Sequence, residues 1–222
     1  MTLPEGHPRL AKRPYSTGEL IADGIVHGVA LVAGIVAFPV LLAQIVARQA
    51  VSDAVAIGIY AGAFFLMFGF SLAYNMTPPS PVKWVLRRFD HSAIYVMIAG
   101  TYTALLSQID DRFWAGTLMA VVWIGAIGGA VVKFALPGRG DKLSIALYVA
   151  LGWAAVVAIV PIVRSLPTPT LILVGIGGAL YTVGILFYKW HGLKFQNAIW
   201  HGFVAAASGC QWAGIAYVVG RA

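Results

Sequence analysis

Leu20-Ile21-Ala22-Asp23-Gly24-Ile25-Val26-His27-Gly28-Val29-Ala30-Leu31-Val32 opens a run that stays apolar to Val46. As an α-helix rising 1.5 Å per residue, such a run exceeds the roughly 30 Å of a bilayer's hydrocarbon core. Asp23, His27 and Gln44 are its polar members, and Asp23 and His27 stand near its beginning. An ionisable side chain in lipid is costly, so by default it marks a site. The run therefore reads as a membrane-spanning helix that carries chemistry at one end.

Six further runs follow: Ala54 to Asn75, His91 to Gln108, Phe113 to Phe134, Leu143 to Val163, Thr170 to Tyr188 and Asn197 to Val219. The third is the shortest. The chain is 60% hydrophobic and 10% charged over 222 residues, too apolar for a soluble globule of that size. Continuous runs, not ten-residue alternations, exclude a β-barrel reading. Thr77-Pro78-Pro79-Ser80-Pro81, Pro137-Gly138-Arg139-Gly140 and Leu166-Pro167-Thr168-Pro169 punctuate the connections. None is long enough to separate domains. The expected fold is all-α: a polytopic seven-transmembrane-helix bundle over residues 20–222, preceded by a cytoplasmic tail over 1–19. Glycine, at 25 residues, suits close packing of membrane helices.

The basic residues orient this bundle. With the N-terminus cytoplasmic, that side holds Arg9, Lys12, Arg13, Lys83, Arg87, Arg88, Lys133, Arg139, Lys142, Lys189 and Lys194, and the other holds Arg48, Arg112, Arg164 and Arg221. The imbalance predicts the N-terminus inside and the C-terminus outside. It also accounts for the net charge of +7 without nucleic acid, since the charges are spread over membrane-flanking segments that meet anionic lipid. The expected location is a cell membrane. The first run is too long for a cleavable signal's apolar region. The lone Cys210 leaves no internal disulfide and reads as a small apolar filler.

On this topology Glu19, Asp23 and His27 open the first span, Ser71, Tyr74 and Asn75 close the second, Asp90, His91 and Ser92 open the third, and Asn197 and His201 open the seventh. All converge on the cytoplasmic leaflet. Helical spacing groups them into stripes: Glu19 with Asp23 and His27, Ser71 with Asn75, and Asn197 with His201, Ser208 and Gln211. Each has a plainer alternative. Glu19 suits a helix cap, Asp90 and Ser92 suit either a cap or a site, His91 beside Arg88 suits the interface, and Ser71 can bond its own helix. His27 and His201 sit inside apolar runs and need polar partners. Asp90 is expected to accept hydrogen bonds from His27 and His201. Tyr60, Trp114, Trp190 and Trp200 read as an interfacial aromatic belt.

Taken together, Tyr15-Ser16 with Glu19, Asp23 and His27-Gly28, then Ser71-Leu72-Ala73-Tyr74-Asn75, Arg88-Phe89-Asp90-His91-Ser92, Ala99-Gly100-Thr101-Tyr102-Thr103, Trp200-His201 and Ala207-Ser208 resemble the hemolysin III proteins, the bacterial branch of the progestin and adipoQ receptor family. The resemblance covers the whole seven-span layout. It implies an intramembrane zinc site of three histidines near the cytoplasmic face, with Ser71 and Asp90 in catalytic roles and hydrolysis of a ceramide-like lipid amide as the activity. The positions it assigns to zinc are Asn75, Asn197 and His201, so two of three ligands are amides. An Asn carbonyl is a poor ligand for zinc. A further histidine of the family falls at Gln211. The amides can satisfy one another without an ion.

Three functions remain. The first is a cavity protein open to membrane lipids, in lipid homeostasis or sensing, with the family zinc site lost and no cofactor. The second is a lipid hydrolase whose metal is held by a rearranged set such as His201, Asp90, Asp23 and His27. The third is a proton or ion pathway through the same Asp and His residues, although polar groups thin toward the outer leaflet.

Overall fold

In the computed structural model, which describes residues 15–135 and 141–221, the chain is all-helical. Arg9, Lys12, Arg13, Arg139 and the stretch Pro137 to Gly140 lie outside those residues, as does the Lys142 side chain. The elements are α1 (Thr17–Ala47), α2 (Val51–Met76), α3 (Pro81–Leu106), α4 (Arg112–Ala135), α5 (Asp141–Gly152), a 3₁₀ segment (Ala154–Ala158), α6 (Ile159–Ser165), α7 (Thr168–Lys189) and α8 (Gln196–Val219). Six helical stretches are long and apolar enough to cross a membrane: α1, α2, α4, Leu143–Ser165, α7 and α8. The protein is a multi-pass membrane protein.

Helix α1 shows how the bundle is built. Glu19, Asp23, His27, Ala30, Gly34, Phe38, Leu41 and Ile45, spaced three or four apart, form its buried face. Ile25, Val29, Val32 and Val36 on the other face are 60–65% exposed. A soluble helix buries its apolar stripe; here the polar residues turn inward and the β-branched residues face lipid. Ser16 caps the helix, its hydroxyl accepting from Glu19 N while Glu19 accepts from Ser16 N at 2.9 Å.

Consecutive helices α1 through α4 pack side by side, and α8 closes against α1 and α7. Gly100 on α3 allows close approach to α2: a Cβ there would lie 2.6 Å from that of Ala63. At one end of the bundle Arg48 donates to Gly220 O at 2.8 Å, Gln108 to Asp53 at 2.9 Å, and Asp110 N to Ser165 at 3.2 Å. This is the end assigned above to the outer leaflet. A cleft of about 470 Å³ lined by Asp110, Asp111, Trp114, Val157 and Arg164 opens there.

Three expectations are corrected. The third helix starts at Pro81, not at His91, because Ser80 caps it by accepting from Lys83 N at 3.2 Å and Pro81 fills its first turn. Asp90, His91 and Ser92 are therefore mid-helix residues, and the reading of Asp90 and Ser92 as caps falls. The fifth run is not one α-helix: it narrows to 3₁₀ over Ala154–Ala158 between α5 and α6. Tyr60 is fully buried against Phe38, with ring centroids 5.2 Å apart, so it is a core residue and not part of an interfacial belt.

Candidate polar and metal-ligating site

At the end opposite the cleft, α1, α2 and α8 bring their polar stripes together. Asp23 is 1% exposed and His27 is fully buried. The Asp23 Oδ1 lies 2.5 Å from His201 Nδ1 on α8, a hydrogen bond joining helices at opposite ends of the chain. His27 Nδ1 donates to the Asp23 carbonyl one turn earlier at 2.8 Å. The two imidazole rings meet edge to face, with centroids 4.4 Å apart.

Helix α2 adds Ser71, whose Oγ lies 3.4 Å from His201 Nε2. Asn75 Nδ2 donates to the Ser71 carbonyl at 2.9 Å and reaches its hydroxyl at 3.3 Å. Asn197 Nδ2 donates to Asn75 Oδ1 at 3.0 Å, and the Tyr15 hydroxyl donates to Asn197 Oδ1 at 3.2 Å. Both amide oxygens are thus already engaged. The result is a chain Tyr15, Asn197, Asn75, Ser71, His201, Asp23 that crosses from the start of α1 through α8 and α2 and back. A buried polar network of this kind is stable only when its members satisfy one another.

Glu19 is neither solvated nor only a cap. It is 4% exposed, and its Oε1 accepts from Phe195 N at 2.9 Å. Phe195 precedes α8 with φ 60, a left-handed conformation that presents its N–H toward α1. The stripe on α8 divides: Asn197 and His201 join the cluster, whereas Ser208 pairs with Tyr181 on α7 at 2.6 Å and Gln211 donates to Val174 O at 3.4 Å. Spacing placed these four on one face; the twist of the helix past two neighbours separates them.

The expected bonds from His27 and His201 to Asp90 are replaced by bonds to Asp23. Asp90 on α3 lies beside Ser71, and its Oδ2 is 3.9 Å from His91 Nε2, both side chains being 14% exposed. Tyr74 stands edge-on to His91, with centroids 6.5 Å apart. Asp90, His91 and Tyr74 thus form a half-buried rim around the buried Asp23, His27 and His201. Sequence reading quoted Tyr15 only as part of the resemblance, with no place for its hydroxyl in the cluster, and passed over Tyr181, the partner of Ser208 on α7. Only the return of α8 shows what the Tyr15 hydroxyl meets.

The zinc position implied by the resemblance fails on this chemistry. Amide nitrogens do not ligate, both amide oxygens accept hydrogen bonds, and His201 is the one imidazole among the three. The residues at Asn75, Asn197 and His201 do not fit zinc.

A helical multi-pass membrane protein with a buried carboxylate, imidazole and amide cluster at one end of its bundle is the class these features define. The chain belongs to the haemolysin-III related family, whose model matches residues 19–212. It is 36% identical to Hemolysin-3 of Bacillus cereus over 190 residues, 86% of this chain and 87% of that protein. It is 34% identical to the Hemolysin-3 homolog of Bacillus subtilis over 194 residues, 87% of this chain and 91% of that one. More distant is the human monocyte to macrophage differentiation factor, 28% identical over 120 residues, 54% of this chain and 49% of that protein.

Proposed function

We propose that this protein spans a bacterial inner membrane seven times with its N-terminus inside, engages membrane lipid at its polar end, and serves lipid homeostasis or sensing without zinc at the family position. The observation that carries the reading is the Asn197 to Asn75 hydrogen bond at 3.0 Å, which closes two of the implied ligand positions on each other. A network of amides, hydroxyls and one carboxylate offers donors and acceptors to a lipid headgroup. The half-buried rim of Tyr74, Asp90 and His91 is the approach by which a headgroup reaches it. Nucleic acid has no part in this reading.

The test uses purified full-length protein in nanodiscs containing a photoactivatable ceramide or phospholipid. Cross-links are expected on α2 and α3 near Tyr74 and His91 and to weaken in Tyr74→Ala. Labelling spread evenly over lipid-facing valines, together with an unchanged lipid composition in cells lacking the protein, would sink it.

One observation favours a second reading, that of a lipid hydrolase. Asp23, His27 and His201 are close enough to hold a metal, with ligand-type atoms all within 4.8 Å of one another. Hydrolysis needs the metal, which when bound supplies Lewis acidity toward a carbonyl and its attacking water. Ser71 and Asp90 then occupy the positions that the resemblance marks as catalytic. Fatty-acid release from a ceramide-like lipid, abolished by a chelator and by His201→Ala, separates this reading from the first.

A further inference from the structure

We infer that Asp23, His27 and His201 form a binding site for a divalent transition ion of the zinc class, displaced from the family's zinc position and tying α1 to α8. Three observations carry it. The ligand-type atoms of these three buried residues lie within 4.8 Å of one another. His27 Nδ1 donates to a backbone carbonyl, which leaves Nε2 as a bare lone pair, and that buried Nε2 has no hydrogen-bond partner. Asp23 Oδ2 is buried without a partner as well.

A buried acceptor with no donor is costly, and here two such atoms of ligating type occur in one cluster. The histidine arrangement matches what metal-bound imidazoles need, since one ring nitrogen held by a carbonyl fixes the tautomer and aims the other. Two imidazoles and a carboxylate are a ligand set that zinc accepts, and three protein ligands leave a fourth position open. Ligands of tetrahedral zinc stand about 3.4 Å apart, so the 2.5 Å contact of Asp23 with His201 opens by about 1 Å as the ion enters, and the widest pair, within 4.8 Å, closes by about as much. The proton shared by Asp23 and His201 leaves as the ion enters, because ligands bind deprotonated.

This inference does not rest on the lipid reading: a metal-free protein that still cross-links lipid would overturn the metal site alone. The experiment titrates chelator-treated, full-length protein in detergent with Co²⁺ and follows its visible ligand-field absorption, then displaces it with Zn²⁺. About one ion per chain is expected, with affinity falling on the order of tenfold or more in Asp23→Asn and in His27→Ala and unchanged in Asn197→Ala. Absence of stoichiometric uptake overturns the proposal. So does uptake lost in His201→Ala but kept in both Asp23→Asn and His27→Ala, which would place the ion at the family position. X-ray absorption on the wild-type cobalt protein needs no variant: two imidazoles with oxygen support the site, and a single imidazole overturns it.

Discussion

Asp23 and His201, 178 residues apart in the chain, share a hydrogen bond of 2.5 Å inside the membrane-spanning bundle. This pair fastens the first long helix to the last. Removing one partner of a buried pair strands the other in a low-dielectric interior, at a cost of about 3–5 kcal/mol. Asp23→Ala and His201→Ala should each lower the melting temperature of the chelator-treated protein in detergent. The double variant should lose clearly less than the sum of the two, because neither partner is then left alone. Additive losses would mean that the two side chains act separately.

Glu19 joins the same helices nearer the membrane surface. It completes a capping box with Ser16 and accepts from Phe195 N at 2.9 Å. Glu19→Ala removes both, at a cost of about 1–3 kcal/mol. Glu19→Gln, which can still accept from Phe195, should cost less. Circular dichroism melts that show equal losses in the two variants would assign the effect to charge and not to the hydrogen bonds.

Gly100 tests the packing of α2 on α3. A Cβ there would come within 2.6 Å of the Ala63 Cβ. Gly100→Ala should destabilise by about 1–3 kcal/mol through overpacking, and Ala63→Gly should recover most of that loss. A Gly100→Ala protein with wild-type stability would show that the two helices have room to separate.

The amide pair makes a prediction about the family position. In a His27→Ala background, which disables the displaced metal site, Asn75→His with Asn197→His should create zinc binding with His201. Histidines at 197 and 201 would stand at i and i+4 on one helix face, the spacing that lets two imidazoles grip one ion. Elemental analysis after dialysis reads the result. No gain of zinc would show that Asn75 and Asn197 do not sit at the ligand positions.

Topology is checked independently of any site. Eleven of fifteen Lys and Arg residues flank one side of the seven-span reading, so a reporter fused after Ala222 should be active outside the cytoplasm and one at the N-terminus inside. Both termini on one side would give an even number of crossings, and α3, with Lys83, Arg87, Arg88 and Asp90 in its first half, would then be the helix that does not cross.

Hydropathy by itself determined that this chain is a helical membrane protein, because a helix must be about 20 apolar residues long to satisfy its backbone within lipid. Periodicity of 3.6 also placed Glu19, Asp23 and His27 on one face, and the motifs around Ser71, Asp90 and His201 pointed to the family. Helix beginnings were less legible: α3 starts where Ser80 and Pro81 cap it, ten residues before its apolar run. Partner choice lay beyond the sequence altogether. Depth along the membrane made Asp90 the expected acceptor for both histidines, yet Asp23 takes His201 because α8 packs against α1. The same packing sends Ser208 and Gln211 to α7 while Asn197 meets Asn75. Local spacing sets which face of its own helix a side chain occupies; which neighbour it meets there depends on how the whole set of helices packs, and only the tertiary structure decides that.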